Sequence, residues 1–270
     1  MALVHLNTIK IIYTDVDGTF LNNGCLFRNR RSFSLNNALA IYHLLNQNVD
    51  VVMTSGRERE KLNETARLLG FKNYIANLGM ELVYNQGEKV VTNYGPRAKS
   101  AGDLKQWMEK SGVLNNILSH FKGRLKPYSP WFEILRTHFL LIGEADYLEL
   151  KEWVTVNYPE LKIIDNGEVP PWGNFVKPHA FHLLPKEVGK REAVRMDKKL
   201  RGLKTGELIG IGDSAEDLSI APEVGLFFLL DPNIKTDAPN VIVMDNPDGE
   251  AFYRVVERLA KEGYLPSLQT

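Results

Sequence analysis

Short apolar runs alternate with amphipathic stretches over the first part of the chain. Residues 9–13 and 49–53 are mostly apolar and contain several β-branched side chains, which favours buried strands. Between them, apolar side chains in residues 35–45 recur at helical spacing. A second helical stretch ends at Gly70 and is followed by a short strand at residues 74–76. Because strands and helices alternate, the pattern predicts an α/β fold built on a parallel sheet.

The pattern changes after this first segment. Residues 81–84 and 89–91 flank a turn and predict a hairpin, so antiparallel pairing begins there. The middle of the chain mixes predicted helices at 101–120 and 145–157 with predicted strands at 131–142, 161–165 and 179–184. Alternation then resumes with a helix at 188–201, strands at 207–211, 225–230 and 241–243, and a last helix. We predict a core of residues 1–83 and 181–270, with residues 84–180 inserted as a mixed α+β cap domain over an active site at the domain boundary.

Composition limits the classes of function. The 270 residues are 44% hydrophobic, enough for a sizeable core, and 33 basic residues balance 33 acidic ones. A neutral chain has no overall field that attracts nucleic acid or an anionic membrane, so we expect a small-molecule protein. Cys25 is the single cysteine, which excludes an internal disulfide and fits a reduced, cytoplasmic setting. Residues 1–5 lack the basic segment of a signal peptide, so we expect an unexported protein.

Acidic and small residues follow three of the predicted core strands. The carboxyl ends of parallel strands share one edge of the sheet, where ligands bind, so these segments should meet. The segments are Asp15-Val16-Asp17-Gly18-Thr19, Thr54-Ser55-Gly56-Arg57 and Gly212-Asp213-Ser214-Ala215-Glu216-Asp217. Carboxylates that meet without compensating charge repel one another, which indicates a bound cation. An all-oxygen set suits Mg²⁺, and the lack of His and Cys ligands argues against zinc.

These three segments, together with Lys190, resemble the four ordered motifs of the haloacid dehalogenase superfamily. The resemblance covers the whole predicted core and implies a Rossmann-like, doubly wound parallel sheet. An insertion of this size after the third strand is similar to the subgroup of Cof-type, sucrose-phosphate and mannosyl-3-phosphoglycerate phosphatases. The segment Asp248-Gly249-Glu250-Ala251 also resembles the glycine segment that opens the last helix of Cof-type members.

The resemblance implies a Mg²⁺-dependent phosphatase that passes through an aspartyl-phosphate. Asp15 is the implied nucleophile, since a carboxylate needs no base to activate it, and Asp17 is the implied acid and base. The other implied roles are phosphate binding by Ser55, Gly56 and Lys190, substrate contact by Arg57, metal binding by Asp15, the Asp17 backbone carbonyl and Asp213, and support of the metal or of Lys190 by Asp217. The implied substrate is a sugar phosphate or another small phosphorylated metabolite, mannosyl-3-phosphoglycerate-like compounds included.

Several of these residues also have an ordinary structural interpretation. The sequence Asp-x-Asp-Gly-Thr is common in turns, and Ser55 is a candidate helix N-cap. By itself, Lys190 would be a solvated lysine. Arg57 would ordinarily pair with the neighbouring glutamates Glu58 and Glu60.

Two positions depart from the family pattern. Glu216 stands where many relatives carry Asn, and Gly189 stands where they often carry a small polar residue before the lysine. Neither change removes a group that would touch the phosphate or the metal, and the role of Glu216 stays open.

Three other functions fit parts of the pattern. A phosphomutase of the same superfamily would share these residues, but the fourth motif lacks the longer glycine-rich form of phosphomannomutases. A ligand-binding or regulatory protein on an inactive core would not need the full set of residues present. A nucleotide-binding Rossmann protein would need Gly-x-Gly-x-x-Gly after the first strand, and that motif is absent.

Overall fold

The computed structural model describes residues 8–134 and 137–266. They form two compact units: the first consists of the described residues up to Val91 and from Lys190 onward, and the second of Thr92–Gly189. The second unit is therefore an insertion in the sequence of the first. Residues 1–5, on which the expectation of an unexported protein rests, lie outside the described residues.

The helices and strands follow one another along the chain in three groups. The first group is β1 (Ile11–Thr14), α1 (Asn36–Asn46), β2 (Asp50–Thr54), α2 (Arg59–Leu69), β3 (Tyr74–Ala76), β4 (Glu81–Tyr84) and β5 (Lys89–Thr92). The second group is α3 (Ala101–Lys110), α4 (Val113–His120), β6 (Leu125–Pro127), α5 (Trp131–Ile134), β7 (Phe139–Gly143), α6 (Tyr147–Asn157), β8 (Leu161–Glu168) and β9 (His179–Pro185). The third group is α7 (Lys190–Leu200), β10 (Leu208–Gly212), α8 (Ala215–Leu218), β11 (Leu226–Leu229), β12 (Val241–Val243) and α9 (Ala251–Lys261).

The first unit is built on a sheet whose described strands run in the order β12-β11-β10-β1-β2-β3-β4-β5. β1 lies inside the sheet, parallel to β2 on one side and to β10 on the other. Pairing remains parallel outward to β12 and to β3, and β4 is antiparallel to β3. Sequential strands thus spread to both sides of β1, and their carboxyl ends share one edge.

Helices cover both faces of this sheet. Ile12 belongs to a core that includes side chains of α1, α2 and α9, whereas Ile11 and Tyr13 belong to a second core with α7. Successive side chains of a strand point to opposite faces, so every residue of β1 is buried. The alternation of strands and helices, together with the family resemblance, correctly predicted this Rossmann-like, doubly wound α/β fold.

The second unit has a mixed α+β composition. Its sheet has the strand order β6-β7-β9-β8, and each neighbouring pair is antiparallel. Helix α6 connects β7 to β8 and packs against β8, with Leu150 and Val154 on its buried side.

The structure places the divisions between the units at different residues from those expected. We predicted boundaries at 84 and 181, whereas the compact units divide after Val91 and before Lys190. The reason is hydrogen bonding: β5 extends the large sheet next to β4, and β9 is an inner strand of the small sheet.

Three local predictions in the second unit were incomplete. The predicted strand at 131–142 is a short helix, α5, followed by β7, and residues 135–136 lie outside the described part of the chain. The predicted helix at 101–120 is two helices, because Gly112 adopts a left-handed conformation with φ of 71°. Strand β6 was not predicted. In the described residues, no helix has the length and apolar character needed to cross a membrane.

Candidate active site

Asp15 directly follows β1 at the carboxyl edge of the large sheet. Its backbone N–H donates to the Ile211 carbonyl of β10 at 2.9 Å, which continues the parallel pairing by one residue. Its side chain is 12% exposed. A buried carboxylate needs a partner, since desolvation of an unpaired charge costs several kcal/mol.

Lys190 supplies part of that compensation. It is the first residue of α7, and its Nζ donates to Asp15 Oδ1 at 2.7 Å and to Asp217 Oδ1 at 2.5 Å. Its side chain is 5% exposed. The interpretation of Lys190 as an ordinary solvated lysine is therefore wrong.

Asp217 is fixed by the start of α8. Ser214 is the N-cap residue, and its hydroxyl accepts from the Asp217 N–H while the Asp217 carboxylate accepts from the Ser214 N–H and hydroxyl. This reciprocal capping box holds the carboxylate in one orientation. The arrangement needs Gly212, since a Cβ there would lie 2.3 Å from the Cβ of Asp217.

Asp213 completes a cluster of carboxylates. One oxygen each from Asp15, Asp213 and Asp217 lies within 4.8 Å of the others. The Asp213 carboxylate sits against Gly18, where a Cβ would approach its Oδ2 to 2.2 Å. Glycine is therefore required at both positions, because a side chain at Gly18 would collide with Asp213 and one at Gly212 with Asp217.

The charges in this cluster do not balance. Burial raises the pKa of Asp15 to about 8, with further contributions from Asp217 and Asp213, even though Lys190 acts in the opposite direction. Burial and Asp217 raise the pKa of Asp213 to about 7. Burial lowers the pKa of Lys190, but the attraction of Asp15 and Asp217 outweighs it and the pKa is raised. Because three carboxylates lie beside one ammonium group, the cluster should either take up protons or bind an additional cation.

A hard divalent cation fits this donor set. The cluster offers carboxylate oxygens, the ligands that Mg²⁺ prefers, and Asp15 and Asp213 are the two residues whose side chains were expected to bind the metal. Asp217, like Asp15, accepts a hydrogen bond from Lys190 Nζ. The backbone carbonyl of Asp17 was expected to bind the metal. Its side chain does not belong to this carboxylate cluster but pairs with Arg57.

Asp17 and Arg57 form an ion pair at the ends of β1 and β2. Arg57 Nε lies 2.8 Å from Asp17 Oδ2, and Arg57 Nη2 lies 2.6 Å from Asp17 Oδ1. The Asp17 side chain is 53% exposed. Arg57, which was expected to pair with Glu58 or Glu60, thus contacts Asp17, because the turn after β2 directs it to the turn after β1.

Ser55 follows β2 and is buried. Its N–H donates to the Ile75 carbonyl of β3, and its hydroxyl accepts from the Arg57 N–H at 3.1 Å. Helix α2 begins later, with Glu58 in the N-cap position and no side-chain cap. Ser55 is therefore not the N-cap of α2, and its hydroxyl and the partly buried Gly56 lie in the turn at the carboxyl edge of the sheet.

One contributor to the site was not predicted from the sequence. Asn246 is buried, and its Nδ2 donates to the Gly18 carbonyl while its Oδ1 accepts from the Ala251 N–H at the start of α9. It thereby ties the turn that carries Asp17 to a helix more than two hundred residues later. No local signal marks such a residue, because its partners are distant in sequence.

Similarity to known proteins points to one superfamily. Residues 12–129 match the family model of haloacid dehalogenase-like hydrolases. A phosphoglycolate phosphatase of Staphylothermus marinus is 26% identical over 263 residues, covering 93% of this chain and 98% of the relative. A phosphoglycolate phosphatase of Sulfolobus acidocaldarius is 24% identical over 260 residues, covering 93% of this chain and 96% of the relative.

Solved structures share the fold. A haloalkanoate-superfamily phosphatase from Bacteroides thetaiotaomicron aligns with a TM-score of 0.63 at 17% identity, covering 96% of each chain. A sucrose-phosphatase from Synechocystis, solved with sucrose and phosphate, aligns with a TM-score of 0.62 at 15% identity, covering 93% of this chain and 97% of that one. The family match, the relatives and a doubly wound core that gathers Asp15, Lys190, Asp213 and Asp217 make the chain similar to phosphatases of the haloacid dehalogenase superfamily.

Proposed function

We propose that this protein is a Mg²⁺-dependent phosphomonoesterase in which Asp15 is phosphorylated during each turnover. The observation that carries the proposal is the position of the Asp15 carboxylate, which lies 2.7 Å from Lys190 at the carboxyl edge of the sheet, beside Asp213 and Asp217. A carboxylate that holds an ammonium group on one oxygen, and that would share a metal ion with Asp213, is suited to attack an anionic phosphate.

The first half of the reaction transfers the phosphoryl group to the enzyme. Lys190 engages Asp15 Oδ1, and we assign the attack on phosphorus to Oδ2. As the new P–O bond forms, the ester P–O bond breaks, and the leaving oxygen takes a proton from Asp17. Lys190 and Ser55 then stabilise the negative charge on the equatorial phosphate oxygens, while the Gly56 turn leaves space for them.

The second half returns Asp15 to its starting state. Asp17, now a carboxylate, removes a proton from a water molecule that attacks phosphorus. The bond between phosphorus and Asp15 breaks, and inorganic phosphate leaves. One carboxylate can serve both halves, because donating the proton leaves it in the form needed to accept the next one.

Asp15 and Asp213, with the backbone carbonyl of Asp17, would hold the metal. When bound, Mg²⁺ supplies positive charge that offsets the carboxylates and the phosphate oxygens. Asp217 keeps Lys190 in place through its hydrogen bond with Nζ, and Ser214 keeps Asp217 in place.

We infer that the substrate is a small phosphorylated metabolite. The relatives that align over nearly the whole chain are named phosphoglycolate phosphatases, which makes phosphoglycolate the first compound to test. Sugar phosphates, including mannosyl-3-phosphoglycerate-like compounds, are the second group. We assign catalysis to the first unit and regard the inserted Thr92–Gly189 unit as the cap. We infer a cytoplasmic setting from the single cysteine.

The test is phosphate release from p-nitrophenyl phosphate, phosphoglycolate and a panel of sugar phosphates, with Mg²⁺ and with a chelator. We expect turnover in Mg²⁺, loss of turnover with the chelator, and loss with Asp15→Asn, while the exposed control Asp237→Asn stays active. Acid quenching of the wild type, followed by mass spectrometry, should place a phosphoryl group on the peptide that contains Asp15. No turnover of any compound, or full activity of Asp15→Asn, would overturn the proposal.

A further inference from the structure

Lys190 is contacted at both of its ends by two adjacent residues of α8. Its Nζ donates to Asp217 Oδ1, and its backbone N–H donates to Glu216 Oε1 at 3.2 Å. The side chain of Lys190 is thus directed by one carboxylate, and its backbone by the next residue in the chain.

The backbone contact satisfies a need of α7. The first N–H groups of a helix have no acceptor within the helix, and a side chain just before the helix often supplies one. The residue before α7 is Gly189, which has no side chain. Glu216 supplies an acceptor from another helix, and its negative charge is favourable at the positive end of the α7 dipole.

Glu216 is well placed to set the position of Lys190, because α8 is itself rigidly defined. The capping box between Ser214 and Asp217 fixes its first turn, and the Ser219 hydroxyl donates to the Glu216 carbonyl. Any movement of α8 would shift the partners of both ends of Lys190 together.

We propose that Glu216 is a positioning residue that fixes the first turn of α7 and so places Lys190 Nζ beside Asp15. The inference rests on the proposed function for its catalytic consequence, and on geometry for its structural one. It also gives a role to the carboxylate that the sequence analysis left open.

The rest of α7 does not depend on Glu216. About two turns later, Asp197 accepts from the hydroxyls of Tyr13 at 2.6 Å and Tyr84 at 2.7 Å, which secures the helix to β1 and β4. Loss of Glu216 should therefore loosen the first turn while the helix and the sheet remain folded.

The experiment compares Glu216→Ala, which removes the acceptor, with Glu216→Gln, which retains an acceptor oxygen. The control is Glu192→Ala, which removes a different carboxylate from the first turn of α7. Two quantities are measured: the kcat and KM for p-nitrophenyl phosphate in Mg²⁺, and the rate at which acetic anhydride labels Lys190. Labelling is followed by mass spectrometry in the same protein and normalised to the exposed Lys199.

For Glu216→Ala we expect kcat/KM to fall about tenfold, the scale typical of lost support for a catalytic group, and Lys190 labelling to accelerate by a similar factor. Glu216→Gln should restore both quantities to within about threefold of wild type, and Glu192→Ala should leave both unchanged. If only the negative charge mattered, Glu216→Gln and Glu192→Ala would change kcat/KM and Lys190 labelling as Glu216→Ala does. That result would overturn the proposal.

Failure of this inference is separable from failure of the proposed function. If the wild type is active but Glu216→Ala matches it in both measurements, the role of Glu216 is refuted and the proposed function stands. If the wild type hydrolyses no phosphate ester, the proposed function falls, and the labelling rate still decides whether Glu216 positions Lys190.

Discussion

Arg57 contacts Asp17 through two hydrogen bonds, Nε to Oδ2 at 2.8 Å and Nη2 to Oδ1 at 2.6 Å. A bidentate pair of this kind fixes the plane of the carboxylate as well as its position. More than half of the Asp17 side chain is exposed, so little packing restrains it. The two hydrogen bonds from Arg57 therefore hold the carboxylate in position. The proposed acid and base is therefore held by a residue that the sequence analysis assigned to the substrate.

This pair leads to a prediction that separates the two roles of Arg57. If Arg57 restrains Asp17, Arg57→Ala should lower kcat about tenfold for p-nitrophenyl phosphate and phosphoglycolate alike, since misplacement of a catalytic group costs on that scale. If Arg57 binds the substrate instead, the variant should raise KM for phosphoglycolate, which carries a second anionic group, and spare p-nitrophenyl phosphate. Arg67→Ala, at an exposed arginine of the same helix region, should leave both substrates unaffected.

Lys190 is expected to matter for stability as well as for activity. Lys190→Met keeps the bulk of the side chain but leaves Asp15 and Asp217 buried without their cation, and breaking a buried ion pair in this way costs about 3–5 kcal/mol. The midpoint of urea denaturation, followed by far-ultraviolet circular dichroism in the presence of a chelator, should fall accordingly. Lys199→Met, on the exposed side of α7, is the matched control, and equal midpoints for the two variants would contradict the expectation.

Mg²⁺ should stabilise the first unit through the carboxylate cluster. A ligand that binds the folded state at one hundred times its Kd adds about 2.7 kcal/mol to the free energy of unfolding. We expect MgCl₂ to raise the melting temperature of the wild type and of Asp237→Asn relative to NaCl of equal ionic strength. Asp213→Asn should show no such difference, and a Mg²⁺ effect retained in this variant would argue against a site at Asp213.

We expect His138 to make the stability of the second unit dependent on pH. It is fully buried, and its Nε2 lies 2.7 Å from His182 Nδ1. Burial, reinforced by His182, lowers the pKa of His138 well below its usual value. The unfolded chain then binds more protons than the folded one below about pH 6.5, so stability is complete above that pH and is lost as the pH falls.

The tryptophans provide a specific probe of this effect. Residues 107, 131, 153 and 172 are the four tryptophans of the chain, and all belong to the second unit. Between pH 7.5 and 5.5, the fluorescence-detected free energy of unfolding should fall by up to about 1.4 kcal/mol for each pH unit below 6.5. His138→Gln should remove this part of the slope and His120→Gln, at an exposed histidine of the same unit, should keep it. Identical slopes for all three proteins would show that His138 does not titrate on unfolding.

The fold could be predicted to the extent that single strands and helices carry their own signal. A strand such as β1, buried on both faces, is a continuous apolar run that needs no knowledge of its neighbours. The unit boundaries depend on which distant strands exchange hydrogen bonds, so residues 84–91 and 181–189 were assigned to the wrong unit.

Helix α1 shows a different limit. Its apolar spacing predicted a helix, and Ile41 and Leu44 of that helix are buried. Leu39 and Tyr42 belong to the same apolar pattern but are 50% and 65% exposed. Apolar spacing identifies a helix, but it cannot separate two faces that are both apolar.

The candidate site was predictable at the level of strand ends. Parallel topology alone brings Asp15, Ser55 and Asp213 to one edge, and their catalytic roles stay predictions. The contacts of Arg57 with Asp17 and of Glu216 with the Lys190 backbone depend on side-chain directions at positions far apart in the chain. Sequence spacing contains no information of that kind.

The two-part construction of the first unit has a consequence for protein synthesis. The proposed nucleophile, Asp15, is made early, whereas Lys190 is made 175 residues later, and β10, which flanks β1, later still. A chain that stops before residue 190 has Asp15 and Ser55 but none of the groups that compensate or accompany the buried carboxylate. Domains fold largely as units during translation, so this one must wait for its second segment. We therefore expect chains that end before residue 190 to lack hydrolytic activity.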